Sequence, residues 1–167
     1  MLPPIMSEQE KPSSSALNLM QELPRQIERM HRRFLDVVRL EMWREDVRDI
    51  SPVQIMMLSN IGDEDISVRD LIERGYYLGS NASYNLKQLV DSEYVERRTS
   101  KRDRRSAHLR ITPKGQDVLD KLAALEMKWA EPILGPEGEE AIKTTQTTLR
   151  RLERCWSDAV RFADTPR

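Results

Sequence analysis

From Glu93 to Gly115 the chain reads Glu-Tyr-Val-Glu-Arg-Arg-Thr-Ser-Lys-Arg-Asp-Arg-Arg-Ser-Ala-His-Leu-Arg-Ile-Thr-Pro-Lys-Gly. A short apolar run enters a dense basic turn, an alternating run leaves it, and Thr112-Pro113 carries a helix-start signal. This pattern predicts a two-stranded ribbon with a cationic tip. Directly before it, residues 80–91 have a helical pattern. Their outer face is polar and uncharged apart from one lysine and a terminal aspartate. A polar helix followed at once by a basic hairpin suits the grooves and phosphates of duplex DNA.

Helical geometry advances about 100° per residue. On that wheel Ala82, Leu86, Leu89 and Val90 share one face, which is expected to point inward. Ser80, Asn81, Tyr84, Lys87 and Gln88 lie opposite, with Ser83 at their margin. Amides suit adenine, hydroxyls suit several base edges, and lysine suits phosphate or guanine. An isolated helix with this face would be ordinary solvated surface; the ribbon beside it favours the functional reading. In the ribbon, Arg97, Arg98, Lys101, Arg102, Arg104 and Arg105 stand against Asp103 alone. Arginine predominates, which fits phosphate forks and narrow minor grooves. Asp103 is expected to accept hydrogen bonds from Arg105 and hold that side chain toward the groove.

The flanks supply the rest of the architecture. Residues 1–15, with Pro3, Pro4, Pro12 and the Ser13–Ser15 run, read as a loose tail. Met20, Leu23, Ile27, Met30, Phe34 and Val37 form a heptad-like seam in a helix reaching about Arg48, with a kink or restart expected at Pro24. Ser51-Pro52 starts a second, largely buried helix. Ser67 caps a third that ends at Gly75, where a left-handed glycine is expected. After the ribbon, a helix runs from Thr112-Pro113 to about Ala130. Pro132 and Pro136 break the chain, and a last helix over 137–162 carries Ile142, Leu149, Leu152, Trp156 and Val160 on one stripe. The expected fold class is mainly α with a small β-hairpin wing, a winged helix-turn-helix over 49–131. The helices of 16–48 and 132–162 are expected to dimerise, because their apolar seams exceed what a small central domain needs.

Net charge is −1, yet nine Lys/Arg and four Asp/Glu fall between Tyr76 and Gly115, so the remainder is acidic. No apolar run approaches the roughly 20 residues of a membrane span, and no secretory leader is visible. With Cys155 as its single cysteine, expected to be a packed thiol, the chain fits a reducing cytoplasm. His31 and His108 with that cysteine make no metal set, and no cofactor is expected. An enzyme is disfavoured: there is no nucleophile–base constellation and no phosphate-binding glycine loop. A winged-helix module that docks on protein or RNA remains the alternative to a DNA-binding regulator.

Three stretches carry a family likeness. Ser51-Pro52-Val53-Gln54, the run Leu86 to Arg97, and Asp103-Arg104-Arg105-Ser106 followed by Leu109, Ile111-Thr112 and Gly115 resemble the MarR family of bacterial winged-helix regulators. Ile111 stands where the family has leucine. The resemblance covers roughly residues 16–162. It implies a dimer built from both chain ends on a pseudo-palindromic operator, and control by a small, often aromatic or phenolic, ligand where the dimerisation and DNA-binding parts meet. His31, Arg39, Met42, Trp43 and Met56 are the candidate ligand residues. The aromatic-rich turn Gly75-Tyr76-Tyr77-Leu78-Gly79 is unexpected between two DNA-binding helices.

Overall fold

A computed structural model of the protein describes residues 13–63, 65–75, 77, 79–99, 107–136 and 138–163. Their order is α1 (Ser14–Arg44), α2 (Pro52–Ile61), β1 (Ile66–Ser67), α3 (Val68–Gly75), α4 (Gly79–Asp91), β2 (Val95–Thr99), β3 (Ala107–Ile111), α5 (Pro113–Leu134) and α6 (Gly138–Ala163). Two compact units meet in sequence between Leu122 and Ala123.

In the first unit α1, α2 and α3 each begin on a local signal. The Ser13 hydroxyl accepts from the Ala16 amide at 3.1 Å, so Ser14 and Ser15, expected in the tail, are the first residues of α1. Ser51 and Gln54 form a reciprocal capping box around α2, with Pro52 at its first position. The Ser67 hydroxyl accepts from the Asp70 amide at 3.1 Å and starts α3. α1 does not restart at Pro24. Proline costs the helix one bond, to the Met20 carbonyl; both residues are exposed, so water can satisfy that carbonyl. α5 likewise passes Pro132, ending two residues later.

α1 and α4 end by the same device. The Val47 amide bonds the Met42 carbonyl at 2.9 Å and the Asp46 amide bonds that of Trp43 at 3.2 Å, with Asp46 at φ 61°. The Tyr94 amide bonds the Leu89 carbonyl at 2.9 Å and the Glu93 amide that of Val90 at 3.0 Å, with Glu93 at φ 61°. These are Schellman closures in which a carboxylic side chain occupies the left-handed position usual for glycine. The first ends α1 at Arg44, short of the expected Arg48. The second swings the chain from α4 directly into β2.

The hairpin is part of a three-stranded antiparallel sheet ordered β1-β3-β2. Val95 pairs with Ile111, Arg97 with Leu109, and Thr99 with Ala107; on the other edge Ile66 pairs with Leu109. Leu109 is wholly buried, and the core around it includes Ile55, Leu58, Leu71, Leu89 and Val95. Full burial of each such side chain is worth about 1.5–3 kcal/mol.

Beneath the hairpin lies a polar clasp. The Tyr94 hydroxyl donates to Asp49 Oδ1. Lys114 Nζ donates to Asp49 Oδ2 at 2.9 Å and to the Ser92 carbonyl at 3.1 Å, and stands 4.1 Å above the Tyr94 ring. The Lys114 hydrogen bond first, and that of Tyr94 second, hold the Asp49 carboxyl below its ordinary 3.8. Burial first, and Asp49 second, push the Tyr94 phenol well above its usual range. A depressed carboxylate stabilises the fold above its unfolded value, and that contribution is lost as pH falls through the folded value. Asp49 is 56% exposed, so Asp49→Asn should cost only about 1 kcal/mol near neutrality. The deficit should shrink as pH falls below the ordinary 3.8; urea unfolding as a function of acid pH measures it, and a pH-independent deficit would contradict the assignment.

In the second unit, α6 exposes Ile142, Leu149, Trp156 and Val160 along one stripe. Cys155, expected to be packed, is exposed. α1 in the first unit similarly shows Met20, Met30 and Val37, while Leu23, Ile27 and Phe34 of the same seam are half-buried. Among the described residues, no helix is long and apolar enough to cross a membrane.

Candidate nucleic-acid interface

α4 buries the face that its periodicity assigns inward: Ala82 is 3% exposed, Leu86 6% and Leu89 1%, with Val90 half-buried. Ser80, Asn81, Ser83, Tyr84 and Lys87 are exposed on the outer side; Gln88 is half-buried. Tyr84, at 65%, is an exposed large apolar side chain on this helix. The Asn85 side chain turns back onto the helix, donating to the Asn81 carbonyl at 2.9 Å, which leaves the Asn81 amide group as the outward one.

Arg97 and Arg98 are neighbours on β2 and therefore point to opposite faces of the sheet. Arg97 lies on the α4 side. With Ser83, Lys87 and Asp91 it lines a groove of about 390 Å³ whose apolar floor is Val68, Leu86 and Val90. Arg98 lies on the other face, where its Nε and Nη2 reach Glu96 Oε2 at 3.1 and 2.8 Å. That face holds a second groove, about 480 Å³, lined by Glu96, Arg98, Arg110 and Asp63 among others. The two side chains thus leave opposite faces of the strand, and both also line a groove of about 570 Å³ along its open edge, with Glu93 and Lys114. Lys101, Arg102, Asp103, Arg104 and Arg105 lie outside the described residues, and so does the expected Asp103–Arg105 pairing.

Thr112 and Gly115 set the base of the hairpin. The Thr112 amide donates to the Tyr94 carbonyl at 3.1 Å. Its hydroxyl donates to the Glu93 carbonyl at 2.7 Å and accepts from the Gly115 amide at 3.1 Å. A Cβ at Gly115 would stand 2.4 Å from the Tyr94 carbonyl oxygen and 2.8 Å from Ile111 Cγ2. The Thr-x-x-Gly spacing is thus what lets α5 start directly against the end of α4.

The five candidate ligand residues differ in exposure. Met42 is 1% exposed, within the core. His31, Arg39 and Trp43 sit on the exposed surface of α1, where Arg39 pairs with Asp36 at 3.1 Å, and Met56 is half-buried on α2. None of them lines any of the grooves described above.

Sequence reasoning missed two contributors. One is the Asp49–Tyr94–Lys114 clasp, whose members are too far apart in sequence for any local pattern to join. The other is the separation of Arg97 from Arg98, which the two-residue period of a strand would have disclosed.

Comparison with known proteins adds an independent line. Residues 48–106 match a family model described as MarR family. The chain is 40% identical over 142 residues to the exopolysaccharide II synthesis transcriptional activator ExpG of Rhizobium meliloti (strain 1021), covering 84% of this chain and 73% of that one. Its fold is similar to that of Streptococcus pneumoniae FabT solved in complex with DNA, with TM-score 0.69, 21% identity, and coverage of 84% and 99% of the two chains. It is also similar to the transcriptional regulator SlyA, with TM-score 0.73, 16% identity, and coverage of 86% and 99%.

Proposed function

Because this chain belongs to the MarR family of transcriptional regulators, we propose that it acts as a cytoplasmic homodimer that binds duplex DNA, with one α4 helix of each protomer in a major groove and the arginine-rich hairpin along the flanking minor groove. The observation that carries this reading is the shared groove of Ser83, Lys87 and Arg97: the polar side of α4 and a wing cation face the same way. The hydrogen-bonding groups of Ser80, Asn81 and Tyr84 extend that surface and suit base edges. FabT, of similar fold, was solved bound to DNA, which supports the same use here. The helices of 16–48 and 132–162 would build the dimer and 49–131 would contact DNA. A small aromatic or phenolic effector would shift the spacing between the two α4 helices. The likeness to an activator supports activation as the sense of control.

Phosphate contacts dominate such binding, so log K should fall linearly with log salt at about −0.9 per phosphate neutralised. Lys87→Ala should reduce that slope by about 1 while weakening all duplexes alike. Arg105→Ala should cost about 1–3 kcal/mol on the preferred duplex. Gel retardation with a duplex selected by the protein from a random library, titrated in salt and repeated with small aromatic acids, tests these points. Selection of no duplex, with retention of an RNA or protein partner instead, would favour the docking-module reading.

A further inference from the structure

The turn between α3 and α4 contains an aromatic residue that the DNA-binding surface does not use. Asn60 Nδ2, on α2, donates to the Tyr77 hydroxyl at 2.8 Å in a half-buried setting. The Tyr77 amide donates to the Ile72 carbonyl at 3.2 Å. The Tyr77 ring lies against Gly75 so closely that a Cβ there would stand 2.0 Å from Cε2 and 2.5 Å from Cδ2. Gly75 is not at positive φ, contrary to the expectation of a left-handed cap. Its lack of a side chain serves the ring, not the backbone.

Three contacts thus fasten one residue, two positions before α4 begins, to two places: the end of α2 and the last turns of α3. A short connection has many backbone conformations, and an unfastened one would let the first turn of α4 drift. That first turn carries Ser80 and Asn81, where small displacements break hydrogen bonds to base edges that tolerate only a few tenths of an ångström. We propose that Tyr77 is a positioning residue: its ring on Gly75 and its hydroxyl on Asn60 hold the start of the recognition helix, and thereby set sequence discrimination without touching DNA. The inference rests on the DNA-binding reading above.

Two variants test it from opposite sides. Tyr77→Phe removes the hydroxyl and keeps the ring. Gly75→Ala keeps the hydroxyl but drives the ring off its seat; since Gly75 has helical backbone, alanine there should raise helix propensity. Both proteins would be compared with the wild type on a duplex selected by the wild type from a random library and on a scrambled duplex of equal length. Both variants should lose about tenfold in the ratio of selected to scrambled affinity, the size of one hydrogen bond lost in a partly buried site. Affinity for the scrambled duplex and its salt slope should stay unchanged. Amide hydrogen exchange, read without DNA, should quicken in the first turn of α4 and not in α2 or β3. A purely structural role would instead lower thermal stability in Tyr77→Phe, leave Gly75→Ala neutral or more stable, and keep the ratio. That result, or uniform exchange, would overturn this inference alone. A wild type that selects no duplex would overturn it together with the reading beneath it.

Discussion

Gly115→Ala should cost the protein about 3 kcal/mol of folding stability, near the upper end for forcing atoms into a packed site. The added methyl meets the Tyr94 carbonyl oxygen at 2.4 Å, a backbone atom that cannot rotate away. The same carbonyl accepts from the Thr112 amide and hydroxyl, at 3.1 and 3.2 Å. Relief of the clash must therefore stretch the bonds that close the hairpin, or move Lys114 off Asp49. Helix propensity points the other way, since alanine in the first turn of α5 would gain up to about 1 kcal/mol over glycine. The sign of the measured change decides which effect wins. For a chain of this size the loss corresponds to a fall of roughly 6–12 °C in Tm. A variant as stable as the wild type in calorimetry would mean that the hairpin base is looser than the contacts here.

The second large effect concerns assembly. Leu149 and Trp156 are 39% and 44% exposed on α6, so glutamate at both positions should do little to an isolated subunit. In the proposed dimer the same changes place charges within a buried seam. The expected result is a shift from dimer to monomer in light scattering at roughly micromolar concentration, with helical content retained. Affinity for the selected duplex should then fall by about 10²–10⁴-fold, because the second half-site is no longer held at high effective concentration. Affinity for scrambled DNA should fall far less. A wild type that runs as a single subunit, or a double variant that remains dimeric, would remove the seam from the interface.

Much of this molecule is written locally. The capping box at Ser51 and Gln54, the inward face of α4, and the alternation around Leu109 need only near neighbours in sequence, and each is legible there. The helix ends were harder. Asp46 and Glu93 occupy the left-handed positions that close α1 and α4; with no glycine to mark it, α1 reads four residues too long. β1 is two residues, too short to show a period, and exists as a strand only because Ile66 finds Leu109. The roles of Gly75 and Gly115 were also out of reach, since each depends on what crosses over it: the Tyr77 ring in one case, the Tyr94 carbonyl in the other. For α4, residue type and helical phase were enough to place Ser80, Asn81, Tyr84 and Lys87 on its exposed side. The opposite directions in which Arg97 and Arg98 leave β2 follow from pleat geometry, which a list of charges ignores. Among the ligand candidates, Met42 was chosen for its chemistry, and its burial in the core was not legible from residue type.

Pairing on both sides of Leu109 has a bearing on how regulators of this kind diverge. With β3 the middle strand, the root of the ribbon is anchored independently of whatever joins Thr99 to Ala107. In the proposed complex with DNA, mutation in that joining stretch would alter charge, length or preferred site while the anchor keeps the subunit folded. New target repertoires can therefore be explored there at small risk to viability, whereas the anchor itself should drift slowly.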